Sequence, residues 1–459
     1  MTHHFDPVAL REYDVRGVVG RSLGPADAHA LGRSFATRVR RAGGDRVVVG
    51  YDGRLSSPEL ETALVEGLCA SGCDVVRTGL GPTPQLYFAE AELTVNGQGV
   101  DAGVQVTGSH NPPDYNGFKM VLRHDAFFGE DIQDLARLAA AGDWEAGAGT
   151  VTEADVQERY VRRLVQGFGG GAYRIGWDPG NGAAGPVIER LVELLPGEHH
   201  VINAGVDGRF PAHHPDPTVE ANLDQLKRLV AEHRLDFGVA FDGDGDRIGA
   251  VDGEGRVVWG DQLLALLAEP VLWRHPGATV VADVKASALL FDRIRALGGH
   301  PCMWKTGHSL IKTRMKQLGA PLAGEMSGHI FFGDDWYGFD DAQLAAVRLI
   351  DAVRMSGRTL TDLHDAMPQL PATPELRVPV AEARKWAVVD EVLARLAADG
   401  AAVDLTDGAR VTTPDGWWLL RASNTEAVLT VRAEGRDEAA LTRLTAAVDA
   451  QLALSGVVR

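Results

Sequence analysis

Short apolar runs alternate with longer amphipathic segments along most of this chain. The runs predicted as strands cover residues 46–51, 74–77, 103–106, 173–177, 201–203, 237–241, 279–284 and 301–304. Residues 58–71, between the first two runs, have the pattern of an amphipathic helix. Near-continuous apolar strands joined by helices are typical of mainly parallel sheets that are covered on both faces. This pattern predicts an α/β fold for most of the chain.

The pattern changes near the C-terminus. Residues 411–420 and 427–432 are predicted as neighbouring strands with a loop between them, and residues 437–452 as one helix. Two consecutive strands followed by a helix are typical of antiparallel pairing. The sequence therefore predicts a smaller α+β unit after the α/β portion.

Three polar, glycine-rich or proline-rich stretches divide the chain of 459 residues, at 139–150, 252–256 and 367–374. A single hydrophobic core stops growing at about 250–300 residues, so a chain of this length is expected to form several domains. The predicted domains are residues 1–150, 151–252, 253–368 and 369–459. The first three share a strand–helix pattern with a glycine-rich loop, and this is weak evidence that they are related.

Composition excludes several classes of function. The formal net charge is −18, and an acidic surface argues against binding to nucleic acid or to anionic membranes. No apolar run approaches the roughly 18–20 residues of a transmembrane helix. The N-terminal segment lacks the basic and apolar regions of a signal peptide, and the three cysteines suit neither a disulfide framework nor a zinc site. We expect a soluble cytoplasmic protein.

The strongest chemical motif is FDGDGDRIG, residues 241–249. Asp242, Asp244 and Asp246 alternate with glycines directly after an apolar strand, so an extended loop would place the carboxylates on one side. Carboxylates this close repel one another unless a cation neutralises them, and hard oxygen ligands suit Mg²⁺. A solvated acidic turn is the alternative. The sequence favours a Mg²⁺ site, with Arg247 available to contact a phosphate beside it.

A second motif, TGSHNPPDYNGFK, covers residues 107–119 and places Ser109 at the end of a predicted buried strand. Ligands of α/β sheets bind at such strand ends. No Gly-x-Ser-x-Gly motif surrounds this serine, so acyl chemistry is not expected. The loop alone is equally compatible with an ordinary turn and with a serine that carries a phosphoryl group. In the second interpretation, His110 and Lys119 are its charge partners. The acidic motif favours the second interpretation, because a cation there would suit a phosphoserine.

Two further motifs contain polar groups suited to a phosphosugar. In GEMSGHIFF, residues 324–332, Glu325, Ser327 and His329 alternate, and an extended loop would direct all three to one side. In RASNTEA, residues 421–427, an arginine and several hydroxyl and amide donors suit a phosphate. A buried structural histidine and an ordinary hairpin turn are the respective alternatives. The residues proposed from RASNTEA are Arg421, Ser423, Asn424 and Thr425.

Shorter stretches add weaker candidates. Tyr13 and Arg16 lie in YDVRG, Lys285 lies in DVKAS, and His308 lies in KTGHS. The glycine-rich turn WDPGNGAAG, residues 177–185, resembles a phosphate cradle. It lacks the lysine of a nucleotide-binding P-loop, so a structural role is favoured.

The four motifs, in this order, resemble those of the α-D-phosphohexomutase superfamily, in particular its bacterial phosphomannomutase/phosphoglucomutase branch. The resemblance runs from Tyr13 to Thr425, nearly the whole chain. It implies four domains around a central cleft, three α/β domains of shared topology and a smaller α+β domain. It also implies interconversion of hexose 1-phosphates and 6-phosphates of mannose or glucose, through a phosphoserine and a hexose 1,6-bisphosphate intermediate that also acts as activator.

The resemblance implies a role for each motif. Ser109 would carry the phosphoryl group and ligate Mg²⁺ together with Asp242, Asp244 and Asp246. The substrate-binding residues implied are Tyr13, Arg16, Arg247, Lys285, His308, Glu325, Ser327, His329, Arg421, Ser423, Asn424 and Thr425. Lys119 and Arg247 would stabilise charge during phosphoryl transfer. The sequence does not decide whether Lys119, His110 or His329 exchanges the proton of the sugar hydroxyl.

Three alternatives stay open at this point. A phosphoglucosamine mutase usually has glutamine at the position of Met326 and alanine at that of Gly108, so both positions favour glucose or mannose phosphates. A metal-dependent sugar-phosphate phosphatase would use Asp242 as its nucleophile and would not need Ser109. A non-catalytic phosphosugar-binding protein would show no turnover. The only partner expected is a small phosphosugar, and the protein is expected to be a monomer or a weak homodimer.

Overall fold

The computed structural model of the protein describes residues 2–95 and 97–459. Four sheets follow one another along the chain, each with its own helices, and a short two-stranded ribbon accompanies the first. The sheets of the first three units contain parallel strand pairs, whereas every strand pair of the last sheet is antiparallel. The predicted α/β units and the smaller α+β unit are confirmed.

The first unit contains a seven-stranded mixed sheet in the order β1-β7-β6-β2-β3-β9, with β8 paired to β7. Its strands are β1 (Val15–Val18), β2 (Arg46–Tyr51), β3 (Asp74–Leu80), β6 (Ala102–Val106), β7 (Tyr115–Leu122), β8 (Asp125–Phe127) and β9 (Val151–Glu153), and the ribbon is β4 (Thr94–Val95) and β5 (Gln98–Gly99). Its helices are α1 (Pro25–Arg41), α2 (Ser57–Ala70), α3 (Thr83–Glu92) and α4 (Glu130–Ala141). All five residues of β6 are buried, and Gln105 carries the one polar side chain among them.

The second unit contains a five-stranded sheet in the order β11-β10-β12-β13-β14. The elements, preceded by helix α5 (Gln157–Leu164), are β10 (Tyr173–Asp178), α6 (Gly185–Val192), β11 (Gly197–Val201), α7 (Asp224–His233), β12 (Phe237–Phe241), β13 (Ile248–Asp252) and β14 (Val257–Val258). Every residue of β12 is buried, as expected for a central strand.

The third unit contains a four-stranded sheet in the order β16-β15-β17-β18. Its elements are α8 (Gly260–Arg274), β15 (Thr279–Asp283), α9 (Ala288–Ala296), β16 (His300–Trp304), α10 (His308–Leu318), β17 (Leu322–Gly324), β18 (Ile330–Phe332), α11 (Ala342–Ser356) and α12 (Leu360–Asp365). The Asp341 side chain caps α11 by accepting a hydrogen bond from the Leu344 N–H at 2.9 Å.

The last unit contains a five-stranded sheet in the order β19-β23-β22-β21-β20. Its elements are β19 (Leu376–Pro379), α13 (Lys385–Ala398), β20 (Val403–Asp404), β21 (Ala409–Thr413), β22 (Gly416–Ala422), β23 (Val428–Gly435) and α14 (Glu438–Leu454). Both helices pack on this sheet and share a separate apolar core with it. The largest core, in contrast, is continuous through the first three units and includes Leu86, Trp177 and Leu264.

Two predicted strands were wrong. The second strand of the second unit is Gly197–Val201, not 201–203. It lies at the edge of the sheet and is polar and partly exposed, so its sequence lacks the apolar run of a central strand. The predicted strand 411–420 is two strands of a hairpin, since Pro414 and Asp415 form the turn between β21 and β22.

Four loops that carry site residues predicted from the sequence follow buried strands of the first three units. Ser109 follows β6, Asp242 follows β12, Lys285 follows β15 and Glu325 follows β17. Carboxyl ends of strands in open α/β sheets are where ligands bind. Packing of the three units brings these strand ends to one side of the molecule. Among the described helices, none is long and apolar enough to cross a membrane.

Candidate active site

A cleft of about 1610 Å³ lies where the four units meet. Nearly all of the site residues predicted from the sequence line it: Tyr13, Arg16, Ser109, His110, Lys119, Arg247, Lys285, His308, Glu325, Ser327, His329, Arg421, Ser423, Asn424 and Thr425. The three aspartates of the acidic motif are fully buried in the wall of the cleft, behind Ser109. The tertiary structure therefore brings residues from all four motifs to one site.

Ser109 is buried, and its hydroxyl donates a hydrogen bond to Asp242 Oδ2 at 2.9 Å. Its backbone has a φ of 48°, in the left-handed region that residues other than glycine rarely adopt. The Nδ1 atom of His110 lies 3.3 Å from the same hydroxyl oxygen. Burial lowers the pKa of His110 well below its ordinary value, so this imidazole is neutral at physiological pH. The serine loop is thus directly joined to the acidic loop.

The acidic loop has the donor set for a divalent cation. One carboxylate oxygen from each of Asp242, Asp244 and Asp246 lies within 4.8 Å of the others, and all three residues are buried. In residues 2–95 and 97–459, the buried Oδ1 atom of Asp244 accepts no hydrogen bond, and the buried Oδ1 atom of Asp246 faces His329 Nε2 at 3.3 Å. Burial, together with the charges of Asp244 and Asp246, raises the pKa of Asp242 well above its ordinary value. Unpartnered buried carboxylate oxygens fit Mg²⁺, which prefers oxygen ligands.

Lys119 reaches the acidic loop from β7. Its ammonium donates a hydrogen bond to Asp244 Oδ2 at 2.7 Å and also contacts Asp246 Oδ2. Burial alone would lower the pKa of Lys119, but the two carboxylates outweigh burial and raise it well above its ordinary value. The Lys119 ammonium therefore keeps its positive charge beside the acidic loop.

The backbone of the acidic loop rests on two neighbouring segments. The Ala183 N–H, within the glycine-rich turn after β10, donates to the Gly243 carbonyl at 2.9 Å. Thr83, at the start of α3, donates from its backbone N–H to the Asp244 carbonyl at 2.8 Å and from its hydroxyl to Asp244 Oδ2 at 2.5 Å. The glycine-rich turn, interpreted as structural from its sequence, supports the acidic loop directly.

The third motif is connected to the acidic loop by backbone pairing. Arg247 and His329 form an isolated antiparallel bridge, and the Ile248 N–H donates to the Gly328 carbonyl at 3.0 Å. Their side chains also meet, with Arg247 Nε 3.3 Å from His329 Nε2. A loop that carries carboxylates and a loop that carries sugar-binding candidates are thus held in fixed register.

Carboxylates surround the His329 ring. Nε2 lies 3.3 Å from Asp246 Oδ1, and Nδ1 lies 3.1 Å from Glu325 Oε2 and 2.9 Å from Ser327 Oγ. Burial by itself would lower the pKa of His329, but Asp246 and Glu325 raise it to about 9. Burial would raise the pKa of Glu325, but the hydrogen bond and charge of His329 lower it to about 2. His329 and Glu325 are therefore a charged pair at neutral pH.

His308 stands beside this pair. Its ring stacks on His329 with centroids 5.4 Å apart and meets the Tyr13 ring edge-on at 5.8 Å. The buried carboxylate of Asp340 lies 3.4 Å from His308 Nδ1 and accepts a hydrogen bond from Lys312 at 2.9 Å. Asp340 and Lys312 were not among the residues predicted from the sequence.

The fourth motif contacts both the first and the third unit. Arg421 Nε donates to Asp407 Oδ2 at 2.8 Å, and the same carboxylate oxygen accepts from the Thr306 N–H at 3.0 Å. The Tyr13 hydroxyl donates to the Thr306 carbonyl at 2.7 Å and contacts the Asn424 amide. Ser423 Oγ accepts from the Thr425 N–H at 3.3 Å, which gives this loop the form of a serine turn.

Two more predicted cations have protein partners. Lys285 donates to Glu375 Oε2 at 2.9 Å and lies 3.7 Å from Asp283 Oδ2. Arg16 donates to Asn111 Oδ1 at 2.6 Å and to the Gly108 carbonyl at 3.3 Å. Arg16 therefore holds the serine loop, whereas Lys285 connects the third unit to the segment that enters the last one.

Sequence reasoning missed several residues at or next to the site: Asp52, Arg54, Thr83, Lys312, Asp340, Glu375 and Asp407. Most of them stand outside any motif, and single charged residues in loops are usually solvated. Asp52 and Arg54 gave the clearest available signal, because DGR directly follows the predicted strand 46–51. A charged pair at the carboxyl end of a buried strand could have been proposed as a site.

Comparison with known proteins gives one consistent family. Four models described as phosphoglucomutase/phosphomannomutase domains match the chain in order: alpha/beta/alpha domains I, II and III at residues 8–145, 158–255 and 259–370, and the C-terminal domain at residues 375–451. A phosphomannomutase/phosphoglucomutase of Pseudomonas putida is 43% identical over 449 residues, covering 96% of each chain. A phosphoglucomutase of Neisseria meningitidis is 42% identical, covering 95% of this chain and 94% of the relative.

A solved structure gives the same result. The crystal structure of a phosphoglucomutase/phosphomannomutase family protein from Burkholderia thailandensis superposes with a TM-score of 0.93 at 42% identity. The match covers 98% of both chains. The likeness therefore includes the arrangement of all four units as well as the fold of each.

Proposed function

The chain belongs to the phosphoglucomutase/phosphomannomutase family, and from this premise we propose that its cleft interconverts hexose 1-phosphates and hexose 6-phosphates by way of a phosphoserine. One observation carries the proposal. The Ser109 hydroxyl lies 2.9 Å from a carboxylate of a buried loop that carries three aspartates. Ser109 lines the same cleft as the two motifs proposed to bind the phosphosugar, residues 324–332 and 421–427. A serine used only in a turn does not need a cation site beside it.

In the proposed cycle, Ser109 enters carrying a phosphoryl group. A sugar hydroxyl attacks phosphorus and gives up its proton, the bond from phosphorus to the serine oxygen breaks, and the serine oxygen takes up a proton. The sugar thereby gains a second phosphate. The bisphosphate then turns over within the cleft, and its other phosphoryl group returns to the serine oxygen. The sugar leaves with its phosphate moved between carbon 1 and carbon 6, and the enzyme ends as it began.

We assign the metal site to Ser109, Asp242, Asp244 and Asp246, with Mg²⁺ as the ion. When bound, the ion would neutralise charge on the transferring phosphoryl group. Lys119 and Arg247 contribute permanent positive charge from either side of the same loop. This assignment is supported by the buried Asp244 oxygen that accepts no hydrogen bond in the part of the chain that the structure describes, and by the closeness of the three carboxylates.

Substrate binding is assigned to the remaining walls of the cleft. Glu325 and Ser327 suit vicinal sugar hydroxyls, because one accepts hydrogen bonds and the other both donates and accepts. Arg421, Ser423, Asn424 and Thr425 suit the phosphate that is not reacting, since guanidinium and hydroxyl donors recognise its oxygens. Tyr13, Arg16, Lys285 and His308 complete the binding site between these loops.

Three groups were candidates to exchange the proton of the sugar hydroxyl. Lys119 is hydrogen-bonded to two carboxylates, which suits charge neutralisation. His110 lies against Ser109, on the side of the carrier. His329 belongs to the wall that we assign to the sugar, and Glu325 and Ser327 fix its ring. We therefore assign the proton exchange to His329, which must release the proton it carries at neutral pH before it can accept that of the sugar hydroxyl.

The test is intact mass and peptide mapping after incubation with glucose 1,6-bisphosphate. The protein is first treated with a phosphatase to remove any phosphoryl group. Reversible gain of one phosphoryl group on the Ser109 peptide, with parallel gain of mutase turnover, supports the proposal. A phosphoryl group on Asp242 instead would establish the phosphatase alternative, and absence of turnover with a phosphorylated serine would establish a binding protein.

We further propose glucose and mannose phosphates as the substrates, as the names of the relatives from Pseudomonas putida and Neisseria meningitidis suggest. Met326, in the sugar loop, contacts Arg432 through its sulfur. A thioether offers little to an amino sugar, so glucosamine phosphate is disfavoured. A coupled assay that compares kcat/KM for glucose, mannose and glucosamine 1-phosphates tests the preference.

A further inference from the structure

Arg54 is a fully buried arginine that none of the assigned roles uses. It follows β2 in the segment Asp52-Gly53-Arg54, and its side chain is 0% exposed. It lies directly beneath the serine loop. Burying a guanidinium is costly unless its donors are all satisfied, so its surroundings indicate what it does.

The guanidinium has five N–H donors, and five acceptors surround it. Nε donates to Asp52 Oδ2 at 3.1 Å. Three of the other four contacts are to backbone carbonyls of the serine loop: Pro112 at 2.5 Å, Ser109 at 2.7 Å and Asn111 at 2.6 Å. The fourth is to the carbonyl of Tyr115, the first residue of β7, at 3.0 Å. The three loop carbonyls lie outside any strand, so Arg54 supplies hydrogen bonds that a sheet would otherwise provide.

One of these carbonyls belongs to Ser109 itself, whose backbone has a φ of 48°. The same carbonyl oxygen lies so close to Gly243 of the acidic loop that a Cβ atom on that residue would collide with it. A residue other than glycine holds a left-handed conformation only where its surroundings enforce it. Arg54 and the close approach of Gly243 together determine the direction of the Ser109 side chain.

Neighbouring groups hold Arg54 in place. Asp52 Oδ2 also accepts hydrogen bonds from the Thr107 hydroxyl at 2.8 Å and from the Gly108 N–H at 3.2 Å. Asp52 thus binds the loop before Ser109, and Arg54 binds it at Ser109 and after it. The Phe210 ring, from the second unit, covers the guanidinium with its centroid 5.2 Å from Arg54 Cζ. The arginine thus joins the serine loop to the unit that carries the acidic loop.

We propose that Arg54 is a positioning residue for phosphoryl transfer, which holds the backbone of residues 109–115 so that the Ser109 oxygen faces the acidic loop. This inference rests on the proposed function, since it takes Ser109 as the phosphoryl carrier. Arg54 is not among the residues that line the cleft, so its influence passes through the loop backbone. Displacing a reacting group by about 1 Å can cost on the order of a hundredfold in rate.

Arg54→Lys tests the proposal. Lysine keeps the charge but has three donors, so at least two of the five acceptors lose their partner. We expect kcat to fall about 10- to 100-fold while KM for glucose 1-phosphate stays within about threefold. The deciding measurement is the single-turnover rate at which dephosphorylated protein gains a phosphoryl group on Ser109 from glucose 1,6-bisphosphate, which should fall by a similar factor.

Arg395→Lys is the matched control. Arg395 also donates to a backbone carbonyl, that of Gln451 at 2.9 Å, but it joins two helices of the last unit far from the serine loop. Both variants are expected to lose thermal stability, and only Arg54→Lys is expected to slow phosphorylation of Ser109. A folded Arg54→Lys protein with a wild-type phosphorylation rate overturns the proposal, as does an equal loss of rate in the control.

If Arg54→Lys does not fold, Phe210→Leu provides the second measurement, because it removes the ring over the guanidinium and leaves every hydrogen bond in place. We expect a two- to fivefold slower phosphorylation of Ser109 with KM unchanged, and an unchanged rate overturns the inference. Phosphorylation of Ser109 in the wild-type protein distinguishes failure of the proposed function from failure of the role proposed for Arg54. If the wild-type protein gains no phosphoryl group on Ser109, the proposed function fails, whereas normal phosphorylation in the Arg54 or Phe210 variant contradicts only the role of Arg54.

Discussion

The hydroxyl of Ser109 lies 2.9 Å from a carboxylate oxygen of Asp242, although 133 residues separate them in the chain. Ser109 follows a strand of the first sheet, and Asp242 follows a strand of the second. Each loop alone is compatible with an ordinary turn. Because the two loops are in contact, Ser109 is a candidate phosphoryl carrier beside a candidate cation site.

Ser109→Ala should abolish mutase turnover, with kcat lower by at least about a thousandfold, and leave substrate binding nearly unchanged. The lost oxygen is the proposed carrier, whereas the proposed contacts to sugar and phosphate are made by other loops. Steady-state kinetics and calorimetric titration with glucose 1-phosphate measure the two quantities. Thr442→Ala, which removes an exposed hydroxyl from α14, is the control and should behave like wild type. Substantial turnover by Ser109→Ala contradicts the assigned role.

Removal of divalent cations with EDTA should abolish turnover, and Mg²⁺ should restore it. Mg²⁺ should also raise the temperature of unfolding, because it binds only the folded arrangement of Asp242, Asp244 and Asp246. At a hundred times the dissociation constant, binding adds about 2.7 kcal/mol to the free energy of unfolding.

Asp244→Asn should weaken both effects of Mg²⁺, since it replaces a carboxylate with an amide at the site. Differential scanning fluorimetry across a Mg²⁺ titration measures this, and Asp449→Asn, an exposed change on α14, is the control. Equal Mg²⁺ stabilisation of Asp244→Asn and wild type would show that the ion binds elsewhere.

Asp407→Asn should raise KM for glucose 1-phosphate about tenfold and change kcat little. Asp407 orients the Arg421 guanidinium and also accepts from the Thr306 N–H of the third unit. A hydrogen bond to a charged group contributes about 1.5–3 kcal/mol, and part of that orientation is lost with an amide. Asp415→Asn, which removes a partly exposed carboxylate that also pairs with an arginine in the same unit, is the matched control. A KM equal to that of the control would exclude Asp407 from phosphate binding.

The contribution of Asp341 to stability should fall as pH rises from about 4 to about 7. Burial raises the pKa of this carboxyl from 3.8 to about 7, with hydrogen bonds from Leu344 and Tyr160 opposing the shift. Between these values the unfolded chain loses the proton and the folded protein keeps it. The contribution of the protonated carboxyl is thus complete at low pH and lost above about pH 7, at up to about 1.4 kcal/mol per pH unit.

Asp341→Asn should remove this part of the pH dependence, since asparagine can still accept the capping hydrogen bond from Leu344. Urea unfolding midpoints at pH 5, 6, 7 and 8 measure it, with wild type and the Asp449→Asn variant for comparison. The midpoint difference between Asp341→Asn and wild type should grow in favour of the variant as pH rises. A difference that is constant across this range would contradict the assignment.

Local patterns were enough to predict most strands and the fold class. The buried strand Phe237–Phe241 and the strand Arg46–Tyr51 have the predicted bounds, because central strands are continuous apolar runs. The edge strand Gly197–Val201 was misplaced, since an edge strand is exposed and its sequence is polar. The turn at Pro414 was missed, although Pro414-Asp415-Gly416 is a turn signature, because residues of high strand propensity lie on both sides of it.

For the site, the sequence by itself determined which loops are candidates for the proposed chemistry, because a phosphoserine, a cation and a phosphosugar would each need a local set of residue types. Asp242, Asp244 and Asp246 could be chosen from spacing alone. Only the tertiary structure decided that Lys119 pairs with these aspartates, that Asp407 holds Arg421, and that Arg54 binds the carbonyls of the serine loop. These contacts join residues far apart in the chain, and a single charged residue in a loop has no local pattern that indicates its partner.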